Sequence, residues 1–295
     1  MINFTACSFQ SAQVAWFSGT GCTAMAAECF EQSFRMRGID VTQTKIKAGQ
    51  PSLAVQADLL VLLFPVYAFR SPRIVDEWVR ALPMVSGTPA VICSVSGGGD
   101  IPPNTACRVS VTKVLRKKGY QVIFEKMLVM PSNFVVGTPN SLAKKLIEML
   151  PAKVDRIVAD VISGQQHKPR VFWLDRLGAA MGRLEQSGAK IFGKHIKASD
   201  SCNGCGLCAG NCPTANIAME HGKPMFHKNC IICLKCIYNC PTKALSAGVL
   251  SFIVLKEGFS LKQIAADTAA VNPGGSQKTG ILLSGVEKYI SKPDL

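Results

Sequence analysis

The chain has 295 residues, carries 33 Lys plus Arg against 19 Asp plus Glu for a formal charge of +14, and is 48% hydrophobic. That length predicts two domains, and so large an apolar fraction excludes global disorder. The longest apolar runs, Leu59–Phe69 and Ala244–Leu255, fall short of the roughly 20 residues that a spanning helix needs.

The first 27 residues are uncharged, but no Lys or Arg precedes Arg35, and a signal peptide begins with a basic region. A soluble, cytoplasmic protein is expected. Apolar runs at Gln13–Phe17, Val41–Ile46, Asp58–Phe64, Pro89–Val95 and Tyr120–Val129 predict five strands. Helical stretches are expected near Thr23–Arg37, Pro72–Leu82, Asn104–Lys118 and Leu142–Ser163. This alternation predicts an α/β domain over 1–163 with a doubly wound, five-stranded parallel sheet. Ligands of such sheets bind beyond the carboxyl ends of the strands.

The first of those ends reads Ser18-Gly19-Thr20-Gly21-Cys22-Thr23. Glycines let the backbone curl, hydroxyls donate, and a helix N-terminus adds partial positive charge, which suits a phosphate. Neither a G-x-G-x-x-G turn nor a lysine-bearing phosphate loop is present, since Gly193-Lys194 is followed by His195. The third strand runs out into Pro65-Val66-Tyr67-Ala68-Phe69 and the fourth into Ser96-Gly97-Gly98-Gly99-Asp100. Aromatics at one loop facing glycines at the other could sandwich a flat ring. Asp100 could contact the ring but is expected to cap the following helix, and Met130-Pro131-Ser132-Asn133-Phe134 could close the pocket but is expected to terminate the fifth strand at the same sheet edge.

Together SGTGCT, FPVYAF and SGGGD resemble the phosphate loop and two ring loops of flavodoxins. The resemblance implies bound FMN, held by residues 18–23, 65–69 and 96–99. Cys22 stands where that loop usually has Asn. At a helix N-terminus its thiol could have a lowered pKa and be redox-sensitive; a small buried filler is the preferred reading, as it is for Cys7, Cys29, Cys93 and Cys107.

Residues 164–199 form a basic linker. Trp173, Leu177, Met181, Leu184, Ile191 and Phe192 recur at roughly helical spacing, with Arg and Lys elsewhere. A brace between two domains is preferred to contact with a membrane surface.

Of 13 cysteines, eight fall between Cys202 and Cys240. Cys202, Cys205, Cys208 and Cys212-Pro213 spell C-x2-C-x2-C-x3-C-P, and Cys230, Cys233, Cys236 and Cys240-Pro241 repeat it 28 residues later. A zinc ribbon uses two C-x2-C pairs and needs neither the third Cys nor the Pro. Three closely spaced thiolates can wrap one iron–sulfur cube while the fourth reaches the other. That rule assigns Cys202, Cys205, Cys208 and Cys240 to one 4Fe–4S cluster and Cys230, Cys233, Cys236 and Cys212 to the second. His221 and His227 are expected at the surface. The segment 200–246 resembles bacterial two-cluster ferredoxins.

Residues 247–295 carry no chemical motif, and a final helix near Ile281–Ser291 is expected to cover its own protein. The order of modules resembles the flavodoxin–ferredoxin fusion proteins of anaerobic bacteria and archaea. That resemblance implies an iron–sulfur flavoprotein that couples a low-potential donor to a redox partner enzyme. With two clusters and FMN bound, the net charge falls to about +8, which suits an acidic protein partner and, without a recognition motif, not nucleic acid. Two alternatives stand beside it. One is an FMN-dependent reductase of a quinone, metal complex or O2; the other is a redox sensor or assembly factor switching through cluster loss or Cys22.

Overall fold

The computed structural model describes residues 9–49, 56–169, 171, 175, 188–189, 191–266 and 283–292. Its N-terminal part alternates β1 (Ser11–Trp16), α1 (Cys22–Arg35), β2 (Asp40–Lys45), β3 (Leu59–Pro65), α2 (Arg73–Ala81) and β4 (Pro89–Ser96), followed by α3 (Val109–Lys117), β5 (Gln121–Val129) and α4 (Asn140–Ile162). The five strands are all parallel, in the order β2-β1-β3-β4-β5. This is the flavodoxin-like doubly wound order, with its switch point between β1 and β3.

The burial of β3 explains its sequence. A central parallel strand is covered on both faces and so reads as a continuous apolar run, as LLVLLFP does. Because side chains alternate, Leu59, Val61 and Leu63 join Phe30, Phe34 and Val158 of α1 and α4 on one face. Leu60, Leu62 and Phe64 join Trp78, Val79 and Leu115 of α2 and α3 on the other. Edge strand β2 has one covered face and carries the polar DVTQTK.

Element ends differ from expectation by a few residues, with one larger departure. The helix expected from Asn104 begins as a 3-10 turn, Asn104–Arg108, and becomes α-helical only at Val109. The tighter turn places Arg108 in the core, 2% exposed. There its Nη1 donates to Ser94 Oγ at 2.7 Å, and its Nε lies 3.6 Å from Glu125 Oε2. Removing one partner of a buried pair strands the other charge, so Arg108→Met should cost about 3–5 kcal/mol. A lowered urea midpoint at unchanged m value would show this. Burial already raises the Glu125 carboxyl above its ordinary value, against the pull of Arg108 and Arg116. Without Arg108 it rises further. The variant's deficit should therefore be smaller at pH 5, where Glu125 can take a proton, and grow towards pH 8.

The cysteine-rich segment is built from short elements: β6 (Lys197–Ala198), α5 (Leu207–Gly210), a hairpin of β7 (Ile217–Glu220) with β8 (Lys223–Phe226), α6 (Lys235–Tyr238) and β9 (Leu245–Ser246), which pairs β6. A 3-10 turn over Gly248–Ile253, then α7 (Leu261–Ala266) and α8 (Ser284–Ile290), complete the described chain. Most of the expected brace, including Trp173, Leu177, Met181 and Leu184, lies outside the described residues, as does Cys7. Of its described members Phe192 is buried, but Ile191 is exposed, pointing away from the core that Phe192 joins. No described helix is long and apolar enough to cross a membrane.

Candidate functional site

The carboxyl ends of β1, β3, β4 and β5 surround one cavity of about 640 Å³. After β1 the chain stays against β3, with Phe17 N–H donating to Leu63 O at 3.1 Å, and then curls. Gly21 adopts φ 114°, and its N–H donates to Ser18 Oγ at 3.1 Å. No side chain with a Cβ takes that backbone comfortably. The helix α1 follows without a side-chain cap.

The β3 loop is a two-residue turn closed by Tyr67 N–H to Arg70 O and Arg70 N–H to Tyr67 O, both at 2.9 Å. Its central residues Ala68 and Phe69 sit at φ 50° and 60°. This is the mirror-image turn that normally selects Asn-Gly, and the strain holds Phe69, 39% exposed, at the cavity's lip. Tyr67 points inward and meets Phe17 edge-on. In the β4 loop, Ser96 Oγ accepts from Gly98 N–H at 3.1 Å and from Asn104 Nδ2 at 3.2 Å.

Every residue expected to bind the cofactor lines this cavity except Gly21 and Gly99. Those two face other segments instead: Gly21 meets the Leu261 side chain and Gly99 meets the Gly285 backbone. Two expectations are corrected. Met130–Phe134 does more than end β5, because all five residues line the cavity. Asn133 Nδ2 reaches across to Thr20 Oγ1 at 2.7 Å and ties the two loops. Asp100 caps nothing: it is exposed, and the 3-10 turn is preceded by Pro103 without a side-chain cap. Cys22 lies in the wall with its Sγ 3.7 Å from Pro131 O. Burial pushes its thiol up to about 12, the opposite of a reactive cysteine.

The cysteine repeat is also a repeat of backbone. Gly204 and Gly206 have φ 72° and 71°, and their counterparts Ile232 and Leu234 keep 54° and 58°. Ala215 and Lys243, likewise 28 residues apart, have 48° and 50°. A β-branched residue in the left-handed region is an outlier, so the wrap around the thiols is held despite the side chains. The fourth cysteines match too. Cys212 Sγ accepts from Asn216 N–H at 3.2 Å and lies 3.6 Å from Thr214 Oγ1. Cys240 Sγ accepts from Ala244 N–H at 3.3 Å and lies 3.7 Å from Thr242 Oγ1. Burial acts to raise the Cys240 thiol, but these bonds outweigh it and its pKa is lowered.

Cys212, Cys230, Cys233 and Cys236 line one small cavity, the interlocked set that the spacing predicts. Burial raises Cys230, Cys233 and Cys236, Cys233 to about 12, and their mutual proximity adds to it. Such thiols ionise only when a metal supplies positive charge. Cys208 is near Cys205 and Cys202. Among the described residues no three His, Cys, Asp or Glu side chains gather round a single metal ion. His221 and His227 are exposed, as expected.

The two sites meet, which nothing in the sequence signalled. Cys230, Ile231 and Ile232 line the large cavity beside the β1 and β3 loops. A Cβ placed on Gly19 would lie 2.5 Å from Tyr67 Oη, 3.0 Å from Cys233 O and 3.1 Å from Cys233 Cβ. Burial, then the nearby Cys233, Cys22 and Cys230, raise the Tyr67 hydroxyl well above its ordinary value. A second tie joins Tyr238 Oη to Asn133 O at 2.7 Å, with Val135 N–H donating to Ile253 O at 3.0 Å. Ala189 and Leu283 complete the wall.

No family model and no curated protein matches the chain. Among solved structures it is similar to the flavodoxin of Streptococcus pneumonia TIGR4, 17% identical, which covers 51% of this chain and 99% of its own with a TM-score of 0.39. An archaeal flavodoxin is 12% identical over 52% of this chain and 98% of its own, with a TM-score of 0.36. The flavodiiron protein of Giardia intestinalis is 12% identical over 60% of this chain and 39% of its own, with a TM-score of 0.38. These are likenesses of chain path alone.

Proposed function

We propose that the chain is an electron-transfer flavoprotein of the flavodoxin–ferredoxin kind, with FMN in the large cavity and two 4Fe–4S clusters on its eight paired cysteines. The observation that carries this reading is the shared wall: Cys230 and Ile231 lie in the same cavity as the Ser18–Thr23, Pro65–Phe69 and Ser96–Gly98 loops. Bound FMN would take electrons in pairs or singly and each cluster one at a time, so the pair of cofactors can split or gather electron pairs.

The chain's part is to bind and to position. The curled Ser18–Thr23 backbone with its hydroxyls suits the phosphate. Tyr67 and the Ser96–Gly98 backbone suit the ring. The pairs of left-handed residues wrap three thiols of each run, and the hydrogen bonds to Cys212 and Cys240 favour their thiolates. Close packing at Gly19 and Cys233 excludes water and keeps the two sites adjacent.

An acidic redox protein is the partner we propose for the basic surface. The exposed Phe69, Phe134, Val135 and Val136 at the cavity's lip also support a second reading, direct reduction of a small apolar acceptor such as a quinone. A switch through the half-buried Cys22 thiol loses support from that thiol's raised pKa.

Anaerobic purification should give about eight irons and one FMN per chain. Stepwise dithionite titration should reduce clusters and flavin in one connected equilibrium. Clusters that reduce while bound flavin stays oxidised would sink the relay. Iron without flavin would sink the FMN site. Turnover of a soluble quinone without any protein partner would select the second reading.

A further inference from the structure

We infer that the C-terminal helix α8 and the residue before it belong to the flavin site: Leu283 supplies part of its wall, and Gly285 sets the position of the Ser96–Gly99 loop. The inference rests on the FMN reading of the large cavity. Leu283 is buried and lines that cavity between the β4 and β5 loops.

Two residues on, the backbones touch. A Cβ on Gly285 would lie 2.6 Å from Gly98 O, 3.1 Å from Gly99 Cα and 3.1 Å from Ile101 Cδ1. A Cβ on Gly99, which has φ 94°, would lie 2.6 Å from Gly285 Cα. Glycine is thus needed on both sides of this contact, and any side chain would push helix and loop apart.

The loop needs such a support. Three consecutive glycines, Gly97, Gly98 and Gly99, lose more conformational freedom on ordering than other residues, and a flavin that had to order them itself would bind more weakly. Two ties come from within: Ser96 Oγ accepts from Gly98 N–H, and Asn104 Nδ2 donates to Ser96 Oγ and to Gly99 O at 3.1 Å. The outer side of the loop is held by α8.

That helix is itself anchored. Leu283 and Val286 pack on Val129 of β5 and Leu146 of α4. Lys153 Nζ donates to Lys292 O at 2.7 Å and sits 4.8 Å over the Tyr289 ring. The support therefore reaches from the long helix α4 of the sheet domain through α8 to the loop. The site is assembled from both ends of the chain.

The test uses the full-length, cluster-loaded protein after reversible removal of flavin, with FMN binding followed by flavin fluorescence. Gly285→Ala should weaken FMN binding at least tenfold. Leu283→Ala should weaken it several-fold and shift the visible flavin absorption, because the side chain adjoins the bound group. Iron per chain should stay near wild type in both, while the melting temperature of the flavin-free protein falls, because both positions are packed. A purely structural role would lower that melting temperature alike but leave flavin affinity and spectrum unchanged.

Wild-type affinity and spectrum in both variants would overturn the inference, with α8 merely covering the core. Should Gly285→Ala fail to fold, Leu283→Ala decides alone. Absence of FMN uptake by the wild-type chain would overturn the FMN reading and this inference with it.

Discussion

Gly19→Ala should weaken FMN binding and slow electron equilibration between clusters and flavin, each by at least tenfold. No left-handed backbone is involved at Gly19, so alanine is compatible with the local chain; the effect comes from contact. The added methyl would fall 2.5 Å from Tyr67 Oη and 3.0 Å from Cys233 O. Tyr67 is fixed edge-on against Phe17 in the core, with Ile231 and Cys233 packed beside it. Either the ring leaves its place or the Cys233 backbone lifts. Loss of the ring shows as a higher FMN dissociation constant, and a lifted backbone shows as a slower flavin phase in stopped-flow reduction. A tenfold change in affinity is only about 1.4 kcal/mol, modest for a clash with backbone on one side. Gly188→Ala is the control, since a Cβ there meets nothing within 4 Å and should leave both quantities unchanged. If Gly19→Ala also behaves as wild type, this close approach is not what joins the sites.

The difference between Gly19 and Gly188 also shows where the sequence stops being readable. Local signals were enough for the strands. The run around Leu59–Pro65 reads as a strand because it keeps six apolar residues in a row, whereas the edge position of Asp40–Lys45 is seen only in the structure. The spacing of the thiols likewise anticipates that Cys212 lies beside Cys230, Cys233 and Cys236, and the four line one small cavity. What escaped was everything set by contact between distant segments. Ile231 reads as an ordinary apolar spacer, yet it lines the cavity. Leu283 follows sixteen residues outside the described structure, and no local pattern ties it to Gly98. Cys22 follows the preferred reading of a small filler: its position at a helix N-terminus does not lower the thiol, because burial raises it. Ile232, Leu234 and Val135 escaped because side-chain preference argues against the left-handed backbone they adopt.

The thiol sets carry the other large prediction. Cys212→Ala and Cys233→Ala should each remove the same cluster, lowering iron from about eight to about four per chain and erasing the same component of the reduced EPR spectrum. Cys205→Ala should remove the other component. Cys212 belongs by sequence to the first run, but in space it shares a cavity with the second, and its Sγ receives the Asn216 amide. The two classes should also differ at the flavin. Cys230 and the neighbouring Ile231 line the large cavity, and Cys233 abuts Gly19, whereas Cys202, Cys205 and Cys208 are absent from that wall and Cys205 is exposed. Losing the inner cluster should therefore leave bound FMN slow to reduce even though the outer cluster still takes electrons. Losing the outer cluster should leave exchange between the inner cluster and flavin close to wild type, while transfer from an external protein slows. If Cys212→Ala instead erased the Cys205 component, the interlocked pairing would be wrong. The hydrogen bonds that match Cys212 to Cys240 would then mark only a shared turn.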